Sequence, residues 1–433
     1  MLIRVLALAS LVALPLFAQD APAAPLDRAA RLITVEGLKK HLGVLASDEY
    51  EGRCAGFPGN DMAAEYIAKH FQKIGLTPVG DKGEDGKATY FQAFKVRGRA
   101  TRNCVGFVEG TDPALKEEIV VIGAHHDHVG KEGQPSAGRM KNKNADPDDK
   151  IWNGADDNGS GTVTVLEIAR GFMEGKLRAK RSILFMTFSG EEWGLLGSAH
   201  YVENPIYPLA RTAAMINLDM VGRNPTKPMD VGGVSTAKEW VELAAKAAEG
   251  TGLAHKTSGF VMPGSDHYSF ARKKVPAVHF FTGFHEDYHC QSDHAERIDF
   301  ANMEKIGRFG LRLLVLVADL DRRMEFSTPK PPRRLGIETE ELARERATEL
   351  GLPAEEGGIA ITDVREDSVA FNAGMREGDV LVEFQGKKFP AKDPVGALRA
   401  QIETVKDDVD VPLVVIRDGK RVSLAARWAG KSF

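Results

Sequence analysis

The stretch VIGAHHDHVG, residues 121–130, sets His125, His126 and His128 around Asp127. Four more stretches carry groups able to hold a metal ion or move a proton. NGADDNGSG presents Asp156 and Asp157 before a turn that opens a helix, and FSGEEWGLLGS presents Glu191 and Glu192 at a strand-to-helix junction. INLDMVG sets Asp219 among apolar neighbours, an expensive place for a carboxylate unless it is paired or metal-bound. DYHCQSD supplies His289 and Asp293. The 125–128 cluster is not a cage by itself. On a strand, side chains alternate, so 126 and 128 share a face opposite 125, and two histidines leave a zinc ion short of its usual three protein ligands. Two histidines and three carboxylates, one of them bridging, would hold two zinc ions with positions open for water and substrate. Two metals on the order of 4 Å apart can activate a water between them. In the Glu191–Glu192 pair, one carboxylate can be a ligand while its neighbour takes the proton from that water and returns it to a leaving group. An acidic helix start would look the same in isolation. Its company of four other ligand-bearing segments favours the metal reading.

These residues need elements to hold them. Three apolar runs end in them: EEIVVIGAHHD, RSILFMTFSGEE and AAMINLDM; a fourth, VPAVHFF, precedes the His289 segment. Helical spacing appears over 36–47, 59–76, 161–172 and 236–250, and YFQAFKV and NCVGFVEG read as further strands. Apolar strands alternating with helices predict an α/β fold: a doubly wound, mostly parallel sheet with helices on both faces. In such sheets functional groups gather beyond the carboxyl ends of the strands, which is where the polar clusters lie.

The chain of 433 residues is long enough for two domains, and its net charge of −4 gives no footprint for nucleic acid. Residues 1–18 read as a cleaved signal peptide, which predicts an exported protein, periplasmic or secreted, with no stable membrane span once mature. Of the three cysteines, Cys54 and Cys104 admit a pairing that sequence cannot establish, and Cys290 stands apart. Residues 19–320 then form the main domain, and the charged, Pro-containing segment 321–335 reads as a linker. Residues 336–433 form a small C-terminal α+β domain with a helix over DPVGALRAQIETV and a hairpin around Asp418–Gly419. Segment 131–152 is a long polar loop beside the histidine cluster; the sequence leaves open whether it covers the site.

Six motifs occur in order: A-H-x-D (124–127), G-A-D-D-N-G-S-G (154–161), G-E-E-x-G-L-x-G-S (190–198), N-L-D-M (217–220), S-D-H-x-x-F (265–270) and Y-H (288–289). Together they resemble the co-catalytic zinc aminopeptidases of the bacterial leucyl aminopeptidase type, peptidase family M28, over about residues 35–315. The resemblance implies two Zn2+ held by His125, Asp157, Glu192, Asp219 and His289, with Asp157 bridging. It implies Glu191 as general base and Tyr288 as a hydroxyl that stabilises the oxyanion. Asp127 would orient His125 and Asp293 would orient His289. Asp156 and His126 are non-ligands on this reading, His128 at most supports a ligand, and Asp266 and His267 lie near the substrate pocket without an assigned role. Ser265 lacks the G-x-S-x-G surround of a serine hydrolase. The 131–152 insertion departs from the pattern and bears on the substrate pocket.

The motif DSVAFNAGMREGDVLVEFQG similarly resembles a bacterial PDZ domain, which implies peptide capture at a sheet edge. A carboxylate-binding loop is expected at 349–358, where Glu355 and Glu356 would repel a terminal carboxylate. The expected activity is a zinc-dependent exopeptidase acting on the N-termini of peptide or protein substrates. Readings that share parts of this pattern are a carboxypeptidase or one-zinc glutaminyl cyclase of the same fold, and an inactive peptide-binding scaffold.

Overall fold

The computed structural model describes residues 24–135, 140, 146–328 and 333–428. The chain divides into two compact units that meet at Ser327–Thr328. Residues 1–18, read above as an export signal, lie outside the described residues, as does part of the segment read as a linker.

The first unit holds helices α1 (Pro25–Ala30), α2 (Val35–Leu45), α3 (Pro58–Ile74), α4 (Gly161–Glu174), α5 (Leu196–Glu203), α6 (Trp240–Ala248), α7 (His267–Arg272) and α8 (Phe300–Ala318). Its strands are β1 (Thr77–Pro78), β2 (Phe91–Val96), β3 (Arg99–Val108), β4 (Ile119–His125), β5 (Gly130–Lys131), β6 (Ile151–Trp152), β7 (Ser182–Phe188), β8 (Thr212–Leu218), β9 (Met229–Gly232), β10 (His255–Ser258) and β11 (Ala277–Phe281). The large sheet runs β1-β3-β7-β4-β8-β11-β9-β10, with β2 on β3. Its middle, β7-β4-β8-β11, is parallel, and antiparallel pairs flank it at β3–β7 and β9–β11.

Strands β4, β7 and β8 are buried along their whole length, which is why each reads as an unbroken apolar run. Alternate residues serve the two faces. Val120, Ile122, Ile183, Phe185, Ala214 and Ile216 pack in one core with residues of α3, α4, α6 and α8. Val121, Leu184, Met186 and Met215 pack on the other side with Tyr201 of α5 and Phe270 of α7. The doubly wound sheet expected from the sequence is therefore present. The chain passes from β4 to β7 on one side and returns to β8 on the other, so the strand order switches at β4, and His125 is its last residue.

One helix starts later than its spacing predicts. Expected from 236, α6 begins at Trp240, because Val234–Thr236 form a separate 3-10 turn and Ala237 is extended.

Helices α2, α3 and α4 meet around a buried polar cluster away from the strand ends. The His41 and Tyr66 side chains share a hydrogen bond of 2.7 Å, Glu167 pairs with Arg170 at 2.6 Å, and His70 meets the His41 ring edge-on at 4.6 Å. Burial, reinforced by His41, lowers His70 to about 4. The unfolded chain therefore binds a proton at this position near pH 6.5 that the folded chain refuses until about pH 4. Its contribution to stability is complete above pH 6.5 and is lost as pH falls towards 4. Urea unfolding across that window should show stability falling with pH, and His70→Phe should flatten the slope; an unchanged slope would assign the acid sensitivity elsewhere.

The second unit contains β12 (Ile337–Glu341), α9 (Arg344–Glu349), β13 (Glu356–Gly357), β14 (Ile359–Val364), α10 (Val369–Asn372), β15 (Val380–Phe384), β16 (Lys387–Pro390), α11 (Pro394–Glu403), β17 (Asp410–Arg417) and β18 (Lys420–Arg427). The order is β12-β14-β15-β16-β13, with β17 bridging β15 and β18. The β17–β18 ladder closes at Arg417↔Lys420, leaving Asp418 and Gly419 as a two-residue turn with φ of 49° and 71°. Both values are positive, as a type I′ hairpin turn requires, and an Asp-Gly pair supplies them at low cost. Leu335, Ile359, Leu381, Phe384, Leu398, Leu413 and Trp428 form the core.

The loop expected to bind a carboxylate, 349–358, is placed differently. It ends in β13, at the opposite sheet edge from β12, and Glu356 pairs with Lys388 of β16 at 2.6 Å. A cavity of about 330 Å³ lies instead between Arg333 and Arg334, just before β12, and Arg399, Ile402 and Glu403 of α11.

Candidate metal centre

Four segments leave the carboxyl ends of the parallel strands and converge. His125 ends β4, and its Nε2 lies 3.4 Å from Asp157 Oδ1 and 3.4 Å from Asp219 Oδ1. His289 Nε2 lies 2.9 Å from Asp157 Oδ2 and 3.1 Å from Glu192 Oε2. The two oxygens of Asp157 thus face two different histidines, as a carboxylate shared between two cations must. Glu191 Oε2 stands 3.9 Å from His125 Nε2. The structure therefore brings His125, Asp157, Glu191, Glu192, Asp219 and His289 into one buried pocket, drawn from positions 164 residues apart at the extremes.

Supports fix most of these groups. Asp219 Oδ2 accepts a hydrogen bond of 2.6 Å from Ser265, which in turn accepts one from Asn217 at 2.7 Å. Asp219 Oδ1 is buried without a hydrogen-bond partner. The His125 Nδ1 partner is the carbonyl oxygen of Asp127 at 3.1 Å, whereas the Asp127 carboxylate is 3.7 Å away. That carboxylate accepts instead from the backbone N–H groups of Glu191 (3.1 Å) and Glu192 (3.4 Å), anchoring the acidic pair to β4. Asp127, expected to orient His125, meets its Nδ1 with the carbonyl oxygen at 3.1 Å and keeps its carboxylate in ion-pair range at 3.7 Å.

Asp293 differs from expectation. Its carboxylate accepts the backbone N–H of Asp156 at 2.9 Å and of Asp157 at 3.1 Å, so it holds the Asp157 turn rather than His289. His289 has φ of 54°, and this left-handed kink breaks the regular geometry that would have set the two side chains together. Asp156 faces away from the centre, accepting from Gly222 N and lying 3.1 Å from His285 Nε2. Tyr288 stacks on the His289 ring at 3.9 Å, and burial together with Asp157 and Glu192 pushes its hydroxyl upward, keeping it a proton donor.

His126 and His128 part company. His126 is buried, and burial beside Arg53 lowers it to about 3. His128 enters the centre, its Nδ1 2.8 Å from Glu192 Oε1. It was expected at most to support a ligand, and the residue it contacts is Glu192, one of the expected ligands. Asp266, left without a role above, is buried with both oxygens unpartnered, and burial raises it to about 7. His267 stacks on His279 at 4.6 Å.

Arg53, which sequence reasoning also missed, ties the floor together. Fully buried, it donates to the carbonyls of Leu45, His126, Asn153 and Gly154, joining α2, the end of β4 and the Asp157 turn. The loop expected at 131–152 is closed at its base by β5 paired with β6, and Met140 N donates to His289 O at 2.9 Å. Residues 136–139 and 141–145 of it lie outside the described residues. The Cys54–Cys104 pairing is not made, since Cys104 keeps a buried thiol that donates to Ala64 O.

Electrostatics favours a cation here. Burial opposes charge on His289, yet Asp157 and Glu192 raise it to about 11. His125 is likewise held well above its ordinary value by Glu191 and Asp219 against the effect of burial. Burial lifts Glu191 well above the usual carboxylate range, helped by Asp219 and Glu192. A buried pocket of carboxylates needs positive charge, and protonated histidines supply it where divalent cations would otherwise do so. Ligand atoms of His125, Glu191 and Asp219 lie within 4.8 Å of one another, as do those of His128, Asp157 and Glu192. The nitrogen and carboxylate donors, the unpartnered Asp219 oxygen and the two-sided Asp157 fit zinc.

Residues 103–314 match peptidase family M28. That match lies within the first unit. Residues 334–427 of the second match the PDZ domain. Among similar proteins, Aminopeptidase YwaD of Bacillus subtilis is 30% identical over 252 residues, 54% of this chain and 50% of the relative. Leucine aminopeptidase 1 of Trichophyton equinum is 37% identical over 119 residues, 27% of this chain and 28% of the relative. The chain thus spans half or less of the length of these curated relatives. Among solved structures, Legionella pneumophila LapA aminopeptidase superposes with a TM-score of 0.54 at 22% identity, over 68% of this chain and 75% of that one. BSAP, a zinc aminopeptidase from Bacillus subtilis, gives 0.51 at 17% identity, over 68% and 98%. These structures share the fold of the first unit.

Proposed function

We propose that the first unit is a di-zinc aminopeptidase. The observation that carries this is Asp157, whose two oxygens face two separate nests of donors: His125 with Asp219, and His289 with Glu192. These five residues would hold two Zn2+. Bound zinc lowers the pKa of water and polarises the scissile carbonyl. The chain's own residues do the rest. Glu191, outside the ligand set and anchored through its backbone to Asp127, takes the proton from the attacking water and delivers it to the leaving amine nitrogen. Tyr288 donates its hydroxyl to the carbonyl oxygen as that oxygen gains charge. Rings of Phe281, Phe284, Tyr288 and His289 follow one another at 5.0, 4.9 and 3.9 Å, and Phe284 is 56% exposed. This apolar ladder is suited to an aliphatic or aromatic side chain at the substrate's N-terminal residue.

The nearby cations support exopeptidase action at the amino end rather than the carboxyl end. Arg53 is occupied by four carbonyls, and Arg223 pairs with Asp287 at 2.8 Å. The test is a panel of aminoacyl anilides. Leucyl and phenylalanyl anilides should be cleaved, glutamyl anilide slowly, and N-acetyl-leucyl anilide not at all, with chelator abolishing turnover. Cleavage of the acetylated substrate would reject the aminopeptidase reading.

For the second unit, peptide addition at the edge of β12 is the proposed role, because β12 pairs only with β14 among the described residues. The cavity lined by Arg333, Arg334 and Arg399 would receive a carboxylate. A chain ending at Ser327 should retain turnover of a short anilide and lose binding to immobilised carboxy-terminal peptides. Loss of the anilide activity would make the second unit part of the catalytic apparatus. We further propose that the chain is exported, on the strength of its first 18 residues; amino-terminal sequencing of the mature protein decides it.

A further inference from the structure

The Glu192 carboxylate is held from two sides by two histidines, and only one of them belongs to the proposed ligand set. His289 Nε2 faces Oε2 at 3.1 Å, while His128 Nδ1 faces Oε1 at 2.8 Å. Resting on the di-zinc reading, we infer that His128 is a positioning residue: by donating to Glu192 Oε1 it presents the other oxygen alone to the second zinc and sets that zinc's affinity.

The local chain explains why this ring cannot do otherwise. Strand β4 ends at His125, and the following residues are pinned by backbone bonds, His126 N to Phe188 O at 2.8 Å and His128 N to Arg53 O at 3.2 Å. The His128 side chain is wholly buried. Its ring lies over Gly154, where any Cβ would overlap the imidazole, and Gly154 itself has φ of 56°. On the remaining side the His289 ring meets it edge-on at 5.7 Å. The imidazole is therefore clamped between Gly154 and Glu192.

The chemistry of the contact fixes the proton. A carboxylate that serves a cation can only accept, and its Oε1 lies 2.8 Å from His128 Nδ1. The proton of the bond must sit on His128 Nδ1, and a protonated nitrogen cannot ligate a metal. His128 Nε2 is buried with no partner among the described residues, so Glu192 is the one group the ring's nitrogens engage closely. Asp157 Oδ2, at 3.7 Å from Nδ1, is beyond hydrogen-bond reach. Holding a ligand carboxylate in place before the metal arrives removes a reorganisation cost from binding.

The test uses the full chain, stripped of metal and titrated with zinc against a chromophoric chelator, with cobalt(II) absorption as a second signal of geometry. His128→Asn places an amide nitrogen near the position of Nδ1, whereas His128→Gln reaches towards that of Nε2. Wild type should take up two zinc ions. His128→Gln should weaken one of the two by about 10- to 100-fold and leave the other unchanged, the usual range for losing a ligand's support. His128→Asn should bind both within a few-fold of wild type, and its cobalt spectrum should match.

Equal zinc affinities for His128→Gln and wild type would overturn the inference. So would an equal loss in both variants, because a ring acting as ligand is not replaced by an amide. Thermal unfolding of the metal-free proteins accompanies each titration, and if His128→Gln does not fold, His128→Ala takes its place with the same expected loss at one zinc alone. A wild-type protein that binds both metals while both variants do so equally well refutes the role of His128 only. A wild type that takes fewer than two refutes the di-zinc reading as well.

Discussion

Glu191→Gln is expected to lower the turnover of leucyl anilide by about 100- to 10,000-fold, the range for losing a positioned general base. The zinc content should remain that of the wild type. Glutamine has the size and shape of glutamate and keeps the backbone N–H that Asp127 anchors at 3.1 Å, so the turn survives. What is lost is the ability to accept a proton and return it. The position suits that role: the carboxylate stands beside the centre, 3.9 Å from His125 Nε2, and its side chain is 11% exposed. Burial and the neighbouring carboxylates raise its affinity for a proton, and bound cations would pull the other way, so the group can hold a proton briefly and release it. Glu191 also lies within ligating distance of His125 and Asp219, and the variant separates the two roles. Loss of zinc together with activity would make Glu191 a ligand; full activity would remove it from the mechanism.

Asp157→Asn should have the broader effect: zinc uptake at both positions fails and activity falls to background. Among the described residues, Asp157 is the one whose oxygens reach both histidine nests, 3.4 Å from His125 and 2.9 Å from His289. Replacing a carboxylate by an amide removes the negative charge and leaves one neutral oxygen, so it cannot be shared between two cations. The apo protein should change as well. His289 is held at about 11 by Asp157 and Glu192 against burial, so losing one partner should bring its titration down. Metal analysis and histidine NMR on the apo form read the two consequences separately. Normal uptake of one zinc by the variant would show that Asp157 serves one position only.

Most of the frame was legible because buried parallel strands have an unmistakable signature. The runs ending at His125, Phe188 and Leu218 are apolar at every position, and charge appears abruptly where each strand stops. That contrast marks the edge of the sheet at which ligands gather. Residues beyond a strand end were harder to place. His128 could be given only as a supporter of some ligand, because it lies three residues past the end of the strand and alternation no longer says which group it faces. Asp293 stands four residues from His289 in sequence yet binds the Asp157 turn, because the chain between them is irregular. Arg53 lies in a stretch, EGRCAGFPGN, whose role the sequence does not reveal: its function is to satisfy four backbone carbonyls, and carbonyls leave no trace in a sequence. In the second unit, the segment 349–358 was expected to form a carboxylate-binding loop, but it runs into β13, at the end of the sheet away from β12, where Glu356 pairs with Lys388.

The proposed activity depends on the metal centre. The most direct measurement is the zinc content of the purified full-length chain, by elemental analysis after equilibration with zinc and removal of the unbound ion. Two zinc ions per chain are predicted, both removed by chelator with loss of anilide hydrolysis and both restored on adding zinc back. One zinc per chain or fewer, with anilide hydrolysis intact, would contradict the two-metal site.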